Sequence, residues 1–467
     1  MYQYKSLDDT IVAISTAVGE GAVGMIRLSG QDALSIADKM FVAKGKIKPS
    51  QFKHFSVHYG WIEKKKDGQS HKIDEVLLTV MRAPNSYTKE DVVEISCHGG
   101  VVPLKAILSL ALELGARLAE PGEFTKRAFL NGRIDLTQAE AVLDIIQAKT
   151  EAFLDISHNQ LKGELSLELE NMRTALMDIY TQIEAAVNFP EDDIDEKSKR
   201  ELLKQIDGCV KRVGKLLASS DQGKILKEGI KIVLCGKPNV GKSSLLNALL
   251  KQPRAIVSHI AGTTRDTIEE TAQIRGIPFQ LVDTAGILEP RDLIEEEAIK
   301  RSRMSIGSAD LVLLILDNSA PLDKEDERLI DHVKGKNVLA VINKSDLGPR
   351  LDEQKIKKLF PFSKTVRVSV LEKSGLENLE EAIVQEVWHS KNIDTHGILI
   401  SNIRHIKALQ ECEEALKKSH EILSKGVSLE FVSEEIKAAV NCLDNITGRN
   451  IDEDLLNKIF SDFCIGK

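Results

Sequence analysis

The sequence predicts a multidomain protein of mixed α/β and α architecture. We expect an N-terminal α+β domain, a discontinuous helical bundle and an inserted α/β domain with a parallel-rich sheet. The 467 residues exceed what one hydrophobic core organises, so about three domains are expected. Residues 224–386 alternate strand-like and helix-like runs, and the helical segments on both sides most simply form one bundle. The expected boundaries are 1–119, 120–223, 224–386 and 387–467.

Composition and charge are those of an ordinary globular protein. Hydrophobic residues make up 42% and charged residues 29% of the chain, and no apolar run is long enough to span a bilayer. The N-terminus lacks the pattern of a signal peptide. Six cysteines without a CxxC pair favour reduced thiols, so we expect a cytoplasmic protein with no membrane partner. A net charge of -8 argues against a general polyanion binder, so any nucleic-acid contact requires a local patch or a partner.

The N-terminal segment combines strand-like runs with two helical stretches. Arg27 and Glu94 each lie among apolar neighbours at strand positions, and the pattern alone favours side chains that point outward from a pleated strand. The sequence KKKDGQSHK at 64–72 predicts a polar turn between two strands. The expected strands are 10–15, 55–63, 73–81 and 92–98, and the expected helices are 31–40 and 103–114.

From residue 120 onward the pattern becomes helical. A short helix ends at the turn Asn131-Gly132, and Thr137 with Glu140 three residues later predicts a capping box at the next helix. Apolar residues then recur at helical spacing from 142 to 187 without a proline, which predicts a long hairpin or bundle. A helix over 201–218 is followed by a polar linker at 219–223. Further helices are expected at 402–423, 428–443 and 453–463.

Residues 236–244, GKPNVGKSS, match the phosphate-binding loop pattern G-x-x-x-x-G-K-[ST]. The apolar run 230–235 precedes the loop and a helix-like run follows it, which is the context that this pattern requires. In such a loop Lys242 reaches the outer phosphates and Ser243 ligates Mg²⁺. A chance match in an ordinary turn is the alternative. The buried strands expected in this domain are 230–235, 279–282, 311–316, 338–342 and 366–369.

Four further segments lie where ligands gather in such a sheet. Asp283-Thr-Ala-Gly286 follows one strand, Asn343-Lys-Ser-Asp346 follows another, Ser369-Val-Leu371 would back a base, and 262–266 would form a switch loop. Asp346 can accept both N–H donors of the guanine edge, which selects GTP over ATP. The expected GTP contacts are Asn239, Val240, Gly241, Lys242, Ser243, Ser244, Ser258, His259, Ile260, Ala261, Gly262, Thr263, Thr264, Asp283, Thr284, Ala285, Gly286, Asn343, Lys344, Asp346, Ser369 and Val370.

Ile287 stands where Ras-like GTPases place a water-orienting glutamine. An apolar side chain can neither orient water nor offset charge, so other groups must supply both functions. Asn239 and the stretch 258–263 offer oxygen ligands for a monovalent cation. The alternative for Asn239 is a simple turn former after Pro238.

The whole chain resembles the tRNA modification GTPase family known as MnmE or TrmE, among the TrmE-Era-like GTPases. The nucleotide domain alone would also suit Era-like ribosome-assembly GTPases, so the decisive matches lie outside it. These matches are Asp9-Thr-Ile-Val-Ala13 with Arg27, Glu94 with His98-Gly-Gly100, GEFTKRAFLNGRIDL at 122–136, and Cys464-Ile-Gly-Lys467. The resemblance implies a folate-binding and dimerisation domain at the N-terminus, and a Ras-like P-loop G domain inserted into the helical domain.

The resemblance also implies roles for individual residues. Glu295, nine residues past Gly286, would orient the attacking water, while Ser243 and Thr264 would hold Mg²⁺. The K⁺ ligands would be Asn239, Ser258, Ile260 through its carbonyl, and Thr263. The contacts to a reduced folate, 5-formyl- or methylene-tetrahydrofolate, would be Arg27, Glu94, Arg133 and Lys467, since a carboxylate suits the amino-pterin donors and cations suit the glutamate tail. Cys464 is either a nucleophile near the uridine or part of a tail that packs against the folate domain.

The activity implied by the resemblance needs a partner. A homodimer would act with the flavin protein MnmG, which carries FAD, in a heterotetramer or larger complex. Together they would add an aminomethyl or carboxymethylaminomethyl group to C5 of the wobble uridine of tRNA, with K⁺-dependent GTP hydrolysis coupled to G-domain dimerisation. Two other hypotheses are a ribosome-assembly switch, which usually has an RNA-binding module with a GXXG loop after the G domain, and a folate-dependent one-carbon enzyme that GTP merely regulates.

Overall fold

The computed structural model describes residues 9–45, 47–66, 69–188, 196–250, 269–283, 304–360, 364–387 and 397–467. These residues form two compact units, one drawn from 1–143, 159–212 and 408–467, the other from 144–158 and 213–407. Within these described ranges, no helix has both the length and the apolarity needed to cross a membrane. The four predicted domain boundaries stay a prediction.

A seven-stranded sheet organises the N-terminal part of the first unit, in the order β3-β4-β5-β6-β2-β1-β7. Its strands are β1 (Ile11–Ile14), β2 (Gly21–Ser29), β3 (Phe41–Ala43), β4 (Ser56–Lys66), β5 (Gln69–Met81), β6 (Val92–Gly99) and β7 (Arg117–Leu118). Because side chains alternate along a strand, Ile26, Leu28 and Ile95 enter the core while Arg27 and Glu94 face the other way. Helices α1 (Ala33–Met40) and α2 (Val101–Glu113) contribute Ile36 and Ile107 to that core.

The four predicted N-terminal strands and both helices are confirmed, with corrections. The strand β2 is not among the predicted strands, although Arg27 is predicted at a strand position. The sequence also did not reveal β3 and β7, because three-residue and two-residue strands carry no periodic pattern. The predicted turn at 64–72 is wrong in extent: Lys64 pairs with His71 and Lys66 with Gln69, so both strands continue almost to the tip. A charged sequence forms strand here because its side chains lie on an exposed hairpin, where no core demands apolar residues.

The helical part of the first unit is built from both flanks of the chain, which confirms the discontinuous bundle. Arg173 in the first flank pairs with Asp444 in the second at 2.6 Å between Nε and Oδ1. The helices are α3 (Glu123–Leu130), α4 (Leu136–Gln147), α5 (Glu151–Leu161), α6 (Glu164–Asn188), α7 (Glu196–Ala218), α13 (Ile403–Ser424), α14 (Leu429–Thr447) and α15 (Glu453–Ser461). Of these, α4, α5, α7 and α13 extend into the second unit.

The cap of α4 differs from the predicted capping box. Asp135, not Thr137, accepts the Gln138 N–H at Oδ1 (2.9 Å), and Gln138 Oε1 accepts the Asp135 N–H (3.0 Å). Thr137 and Glu140 instead lie within α4, and both side chains are buried in the protein. The reciprocal box is therefore Asp135 with Gln138, two residues earlier than the sequence pattern indicated.

The predicted polar linker at 219–223 is also wrong, because α8 (Ser220–Glu228) covers it. Gly223 lies inside this helix, and a Cβ there would come within 2.3 Å of the Ile400 carbonyl oxygen. The glycine therefore serves a close backbone approach rather than a flexible connection.

The second unit contains a six-stranded sheet in the order β13-β12-β11-β8-β10-β9. Its strands are β8 (Ile230–Cys235), β9 (Glu269–Ile274), β10 (Ile277–Asp283), β11 (Leu311–Asp317), β12 (Val338–Asn343) and β13 (Lys364–Arg367). All pairs are parallel except β9 with β10, so the sheet is mixed. The last strand ends at Arg367, two residues earlier than predicted, because Ser369 turns away to bridge Ser374. The helices around it are α9 (Lys242–Leu250), α10 (Lys324–Val333), α11 (Glu353–Leu359) and α12 (Leu376–Val387).

Candidate functional sites

The phosphate-binding loop lies between the end of β8 at Cys235 and the start of α9 at Lys242. Asn239 and Gly241 take positive φ values of 62° and 98°, which bend the backbone around the loop. A Cβ on Gly241 would approach the Asn343 Nδ2 atom to 2.3 Å. Glycine is thus required at 241 both by its backbone conformation and by the neighbouring side chain.

Lys242 is folded back over this loop. Its Nζ donates to the Gly236 and Lys237 carbonyls, each at 2.9 Å, and its side chain is buried. Ser243 is the second residue of α9, so its hydroxyl lies at the positive end of that helix. A helix N-terminus with an ammonium and a hydroxyl is suited to bind phosphate and Mg²⁺.

Asn343 links the phosphate loop to the predicted base-binding segments. At the end of β12 it donates from Nδ2 to the Val240 carbonyl (2.8 Å) and accepts the Val370 N–H at Oδ1 (3.3 Å). The side chain is buried, so both bonds are protected from water. The structure therefore brings Val240, Asn343 and Val370 together, as predicted.

The predicted guanine-binding carboxylate, Asp346, is exposed and held by a serine. Ser369 Oγ donates to Asp346 Oδ1 at 2.5 Å, and the Glu372 N–H donates to the same hydroxyl at 3.2 Å. Ser369 itself is fully buried. One oxygen of Asp346 is fixed by this bond, which orients the carboxylate.

Two residues that the sequence did not reveal support this edge of the sheet. Asp317 Oδ2 accepts a bond from Lys344 Nζ at 2.6 Å. Burial would raise the pKa of Asp317, but the bonds from Lys344 and Ser319 outweigh it and lower the pKa. The buried Asn318 donates from its backbone to the Asn343 carbonyl (2.9 Å) and from Nδ2 to the Leu347 carbonyl (3.0 Å). Their position directly after a buried strand was the available signal.

Lys237 anchors the start of the phosphate loop to α10. Its Nζ lies 2.7 Å from Asp323 Oδ2 and 2.8 Å from Asp326 Oδ2. Burial would lower the pKa of Lys237, yet the hydrogen bonds that it donates to both carboxylates raise the pKa. For Asp326 burial dominates and raises the pKa.

Several predicted site residues lie outside the described residues. They are Ser258, His259, Ile260, Ala261, Gly262, Thr263, Thr264, Thr284, Ala285, Gly286 and Glu295. Asp283 ends β10, and its backbone pairs with Leu234 of β8, next to the start of the phosphate loop. In the part of the chain that the structure describes, no group of three or more His, Cys, Asp or Glu side chains is arranged to hold a metal ion.

A second candidate site lies on the N-terminal sheet. Arg27 on β2 and Glu94 on β6 are directly opposite in the register, with Nη2 and Oε1 2.7 Å apart. The Arg27 guanidinium carbon is 5.6 Å from the ring centres of both Tyr87 and Phe124, within cation–π distance. Both charged side chains remain partly accessible, at 14% and 19% exposure.

The C-terminal tail reaches this site. The Gly466 carbonyl accepts bonds from Ser15 Oγ (3.1 Å) and Arg27 Nη1 (3.4 Å). The Lys467 carbonyl accepts the Phe124 N–H at 3.2 Å, and the Cys464 carbonyl accepts the Gly122 N–H at 3.3 Å. The tail thus packs against the N-terminal domain, while the Cys464 residue is exposed.

Arg133 joins the same group through an aromatic ring. Its guanidinium carbon lies 4.8 Å from the centre of Tyr87, the ring that also faces Arg27. The structure therefore brings Arg27, Glu94, Arg133 and the backbone of Lys467 into one region. Phe124, from the segment 122–136, belongs to it as well. Tyr87 and Ser15 also belong to it, and no motif in the sequence pointed to these two.

Beside this site, a buried network fixes α3 against the sheet. Arg127, only 2% exposed, contacts Asp9 Oδ1 (2.7 Å), Glu90 Oε1 (3.2 Å) and Glu123 Oε1 (3.0 Å). Arg117 pairs with Asp9 and Glu123, each at 2.5 Å. Its hydrogen bond lowers the pKa of Asp9, and although burial would raise the pKa of Glu123, bonds from both arginines lower it.

Comparison with known proteins gives matches along almost the entire chain. The MnmE helical domain family matches residues 136–464, and the family described as GTP-binding protein TrmE N-terminus matches residues 10–133. A tRNA modification GTPase MnmE from Desulforamulus reducens is 46% identical over 99% of this chain and 100% of its own length. The MnmE of Alkaliphilus metalliredigens is also 46% identical, over 99% of this chain and its full length.

A solved structure, the G domain of the T. maritima FeoB iron transporter, is 28% identical over 34% of this chain and 98% of its own. Its TM-score is 0.27, too low to support a structural argument. The assignment therefore depends on the sequence matches, which cover both the N-terminal and the helical domain. These matches show that the chain belongs to the MnmE family of tRNA modification GTPases.

Proposed function

We propose that this GTPase uses a reduced folate and, with the FAD-containing protein MnmG, modifies C5 of the wobble uridine of certain tRNAs in the cytoplasm. The group added is aminomethyl or carboxymethylaminomethyl, with 5-formyl- or methylene-tetrahydrofolate as the bound one-carbon carrier. GTP hydrolysis, dependent on K⁺ and on dimerisation of G domains, drives the reaction cycle. The observation that carries the proposal is the bond from Arg27 to the Gly466 carbonyl beside Glu94, which unites the two ends of the chain at one site.

The N-terminal site has donors and acceptors suited to a folate. The Glu94 carboxylate can accept the N–H donors of an amino-pterin, and Arg27 holds that carboxylate in place. The Tyr87 ring, already flanked by Arg27 and Arg133, offers an aromatic contact. In this proposal Arg133 and Lys467 bind the glutamate carboxylates, and the exposed Cys464 lies at the end of the tail where the uridine would approach.

In the proposed G-domain site, some side chains bind the nucleotide and others support its hydrolysis. Lys242 binds the outer phosphates and Asp346 reads the guanine edge. Ser243 and Thr264 would hold Mg²⁺, and Asn239, Ser258, Ile260 and Thr263 would hold K⁺. When bound, these cations offset the charge on the phosphoryl oxygens. Glu295 would orient the attacking water in place of the glutamine that Ile287 replaces.

An exposed apolar sheet face supports the proposed homodimer. Tyr59 on β4 pairs with Leu77 on β5, and they are 42% and 46% exposed. Val57, two residues from Tyr59 on the same face, is 59% exposed. Large apolar side chains grouped on a sheet surface are typical of an interface, so we propose that two N-terminal domains associate here.

The decisive experiment is mass analysis of wobble nucleosides from cells that lack this protein. We expect loss of the C5 modification and its return when the wild-type chain is supplied, but not when Arg27→Ala is supplied. An unchanged nucleoside profile would refute the proposed tRNA reaction. One binding and one rate measurement test the cofactors separately: purified protein should bind 5-formyltetrahydrofolate, and GTP hydrolysis should be faster in K⁺ than in Na⁺. Equal rates in both salts would refute the K⁺ assignment alone.

A further inference from the structure

The helix α7 (Glu196–Ala218) has two faces of opposite character within the first unit. Leu202, Ile206 and Cys209 are buried and lie three or four residues apart. The opposite face is basic and exposed. Lys197, Arg200, Lys204 and Lys211 follow one another at spacings of three, four and seven residues, which places them on a single stripe.

None of these four cations has an ion-pair partner among the described residues, whereas Arg212 on the same helix and three lysines on α13 do. Arg212 Nη2 lies 3.0 Å from Glu168 Oε1. On α13, Lys417, Lys418 and Lys425 each pair with the glutamate one turn earlier. Among the described residues, the stripe therefore carries positive charge that no ion pair neutralises, unlike Lys417, Lys418 and Lys425 of α13.

Gly208 lies in the middle of the stripe, four residues after Lys204 and three before Lys211. Glycine is among the poorest helix formers, and it usually persists inside a helix because something packs closely against it. Here no atom of the described residues outside the backbone of α7 lies within 4 Å of the position that a Cβ would occupy. Packing against the described part of the chain thus does not explain Gly208. A bare backbone at this point lets an external group approach the helix closely.

The simplest alternative is that the stripe is an ordinary solvated helix face that binds no ligand. The acidic residues on α7 help to judge this alternative. Glu201 is exposed between Lys197 and Lys204, and Asp207 lies 3.4 Å from His420 Nε2. Residues 196–218 carry seven Lys or Arg against three Asp or Glu, although four further acids precede the helix at 191–195. In a chain whose net charge is -8, the helix itself is thus a local excess of positive charge.

We propose that this stripe, Lys197, Arg200, Lys204 and Lys211 with Gly208 at its centre, binds the phosphate backbone of tRNA. The inference rests on the proposed tRNA reaction and assigns a surface to its substrate. The four cations span about 21 Å along the helix axis, because an α-helix rises 1.5 Å per residue. Several cations along one face of a helix suit a run of phosphates, and they position the RNA without reading its sequence. The face that reads the nucleoside is elsewhere.

The test uses the full-length dimeric protein and a variant with K197Q, R200Q, K204Q and K211Q together. We expect tRNA affinity at about 0.1 M salt to fall at least tenfold, and the slope of log affinity against log salt to become shallower by about 3. GTP hydrolysis without tRNA, binding of 5-formyltetrahydrofolate and the melting temperature should not change. A matched control, K39Q with K44Q, K53Q and K105Q, removes four exposed lysines from the N-terminal domain and should keep tRNA affinity within twofold.

A second variant separates the role of the bare backbone from that of charge. Gly208→Leu adds bulk and a good helix former without changing charge. We expect tRNA affinity to fall severalfold with an unchanged salt slope, while the melting temperature is kept or raised. Unaltered affinity in Gly208→Leu would remove the glycine from the site.

The remaining outcomes distinguish the two proposals. If the quadruple variant binds tRNA like wild type, the stripe is not the RNA surface, even though the proposed function stands. If it binds tRNA normally but no longer associates with MnmG, the stripe docks an acidic protein surface and the inference is wrong. If wild-type protein, alone and with MnmG, does not bind tRNA at all, the proposed function fails together with the inference.

Discussion

Asn343 Nδ2 donates a hydrogen bond to the Val240 carbonyl over 2.8 Å, which joins the segment proposed to read the base to the loop proposed to hold the phosphates. Replacing Asn343 by alanine leaves the buried Val240 carbonyl without this donor. Such a loss costs about 1–3 kcal/mol, so we expect GDP affinity to fall about 10- to 100-fold. Titration with a fluorescent GDP measures this change in affinity. The control is Asn337→Ala, at the exposed start of β12, which should bind GDP normally.

Asp346→Asn tests guanine selection. The substitution replaces one carboxylate oxygen with a donor, so both guanine N–H groups can no longer be accepted. We expect GTP affinity to drop at least tenfold and the preference for GTP over ATP to shrink, as measured by competition against labelled GDP. Asp331→Asn, on the exposed side of α10, should leave both values unchanged. An intact preference for GTP in Asp346→Asn would remove this residue from base recognition.

Gly466→Ala tests the docking of the C-terminal tail. Gly466 has a φ of 94°, and a Cβ there would lie 2.4 Å from the Ile14 carbonyl oxygen. Strain of this kind costs about 1–3 kcal/mol, so we expect affinity for 5-formyltetrahydrofolate to fall about 10- to 100-fold while GDP affinity is kept. Isothermal calorimetry measures both. Ile465→Ala, at a side chain that is 52% exposed, is the control and should bind folate normally.

The ion pairs of Arg117 and Arg127 with Asp9 and Glu123 make the free energy of unfolding depend on pH in the acidic range. Because the pKa values of Asp9 and Glu123 are lowered on folding, their contribution is present above their ordinary values near 4 and is lost as the pH falls through the lowered values. Arg117→Met should lower the free energy of unfolding at neutral pH by about 1 kcal/mol, because Glu123 is buried whereas Arg117 and Asp9 are each 40% exposed. It should also flatten the fall of that free energy between about pH 5 and pH 2.

Urea denaturation across this pH range measures the effect of Arg117→Met. Arg449→Met serves as the control, since Arg449 pairs with Glu170 on the surface of the same unit, where both side chains are more than 40% exposed. Exposed pairs contribute about 0–1 kcal/mol, so this variant should resemble wild type. A pH dependence in Arg117→Met as steep as that of wild type would mean that other carboxylates dominate acid unfolding.

Cys464 should be the first cysteine to react with a thiol reagent at neutral pH. It is exposed, whereas Cys97, Cys209, Cys235 and Cys412 are buried and Cys442 is half-buried. Burial also raises the pKa of Cys97, Cys235 and Cys442 to about 11, which leaves little reactive thiolate. Iodoacetamide labelling followed by peptide mass mapping measures the order. Denatured protein, in which all six cysteines should react, is the control, and slow labelling of Cys464 in the folded protein would show that the tail is covered.

The sequence by itself determined the elements whose signal is local. The phosphate loop, the buried strands of the G domain and the long helices each follow from a run of neighbouring residues, since a periodic pattern or a turn motif acts over a few residues. Asp346 and Lys242 also belong to contiguous motifs, and their ligand roles stay predictions. The roles of Glu295 and of the K⁺ ligands stay predictions, because they lie outside the described residues except for Asn239.

Only the tertiary structure decided which distant residues meet. Tyr87 lies between Arg27 and Arg133, the Gly466 carbonyl accepts from Arg27, and Asp317 holds Lys344, yet none of these pairs is adjacent in the chain. The residues around Gly223 predicted a linker, because the close approach of the Ile400 backbone cannot be seen in the local sequence. Local sequence encodes backbone preference, whereas long-range contacts depend on how the buried faces of separate elements pack, and that is a property of the folded chain alone.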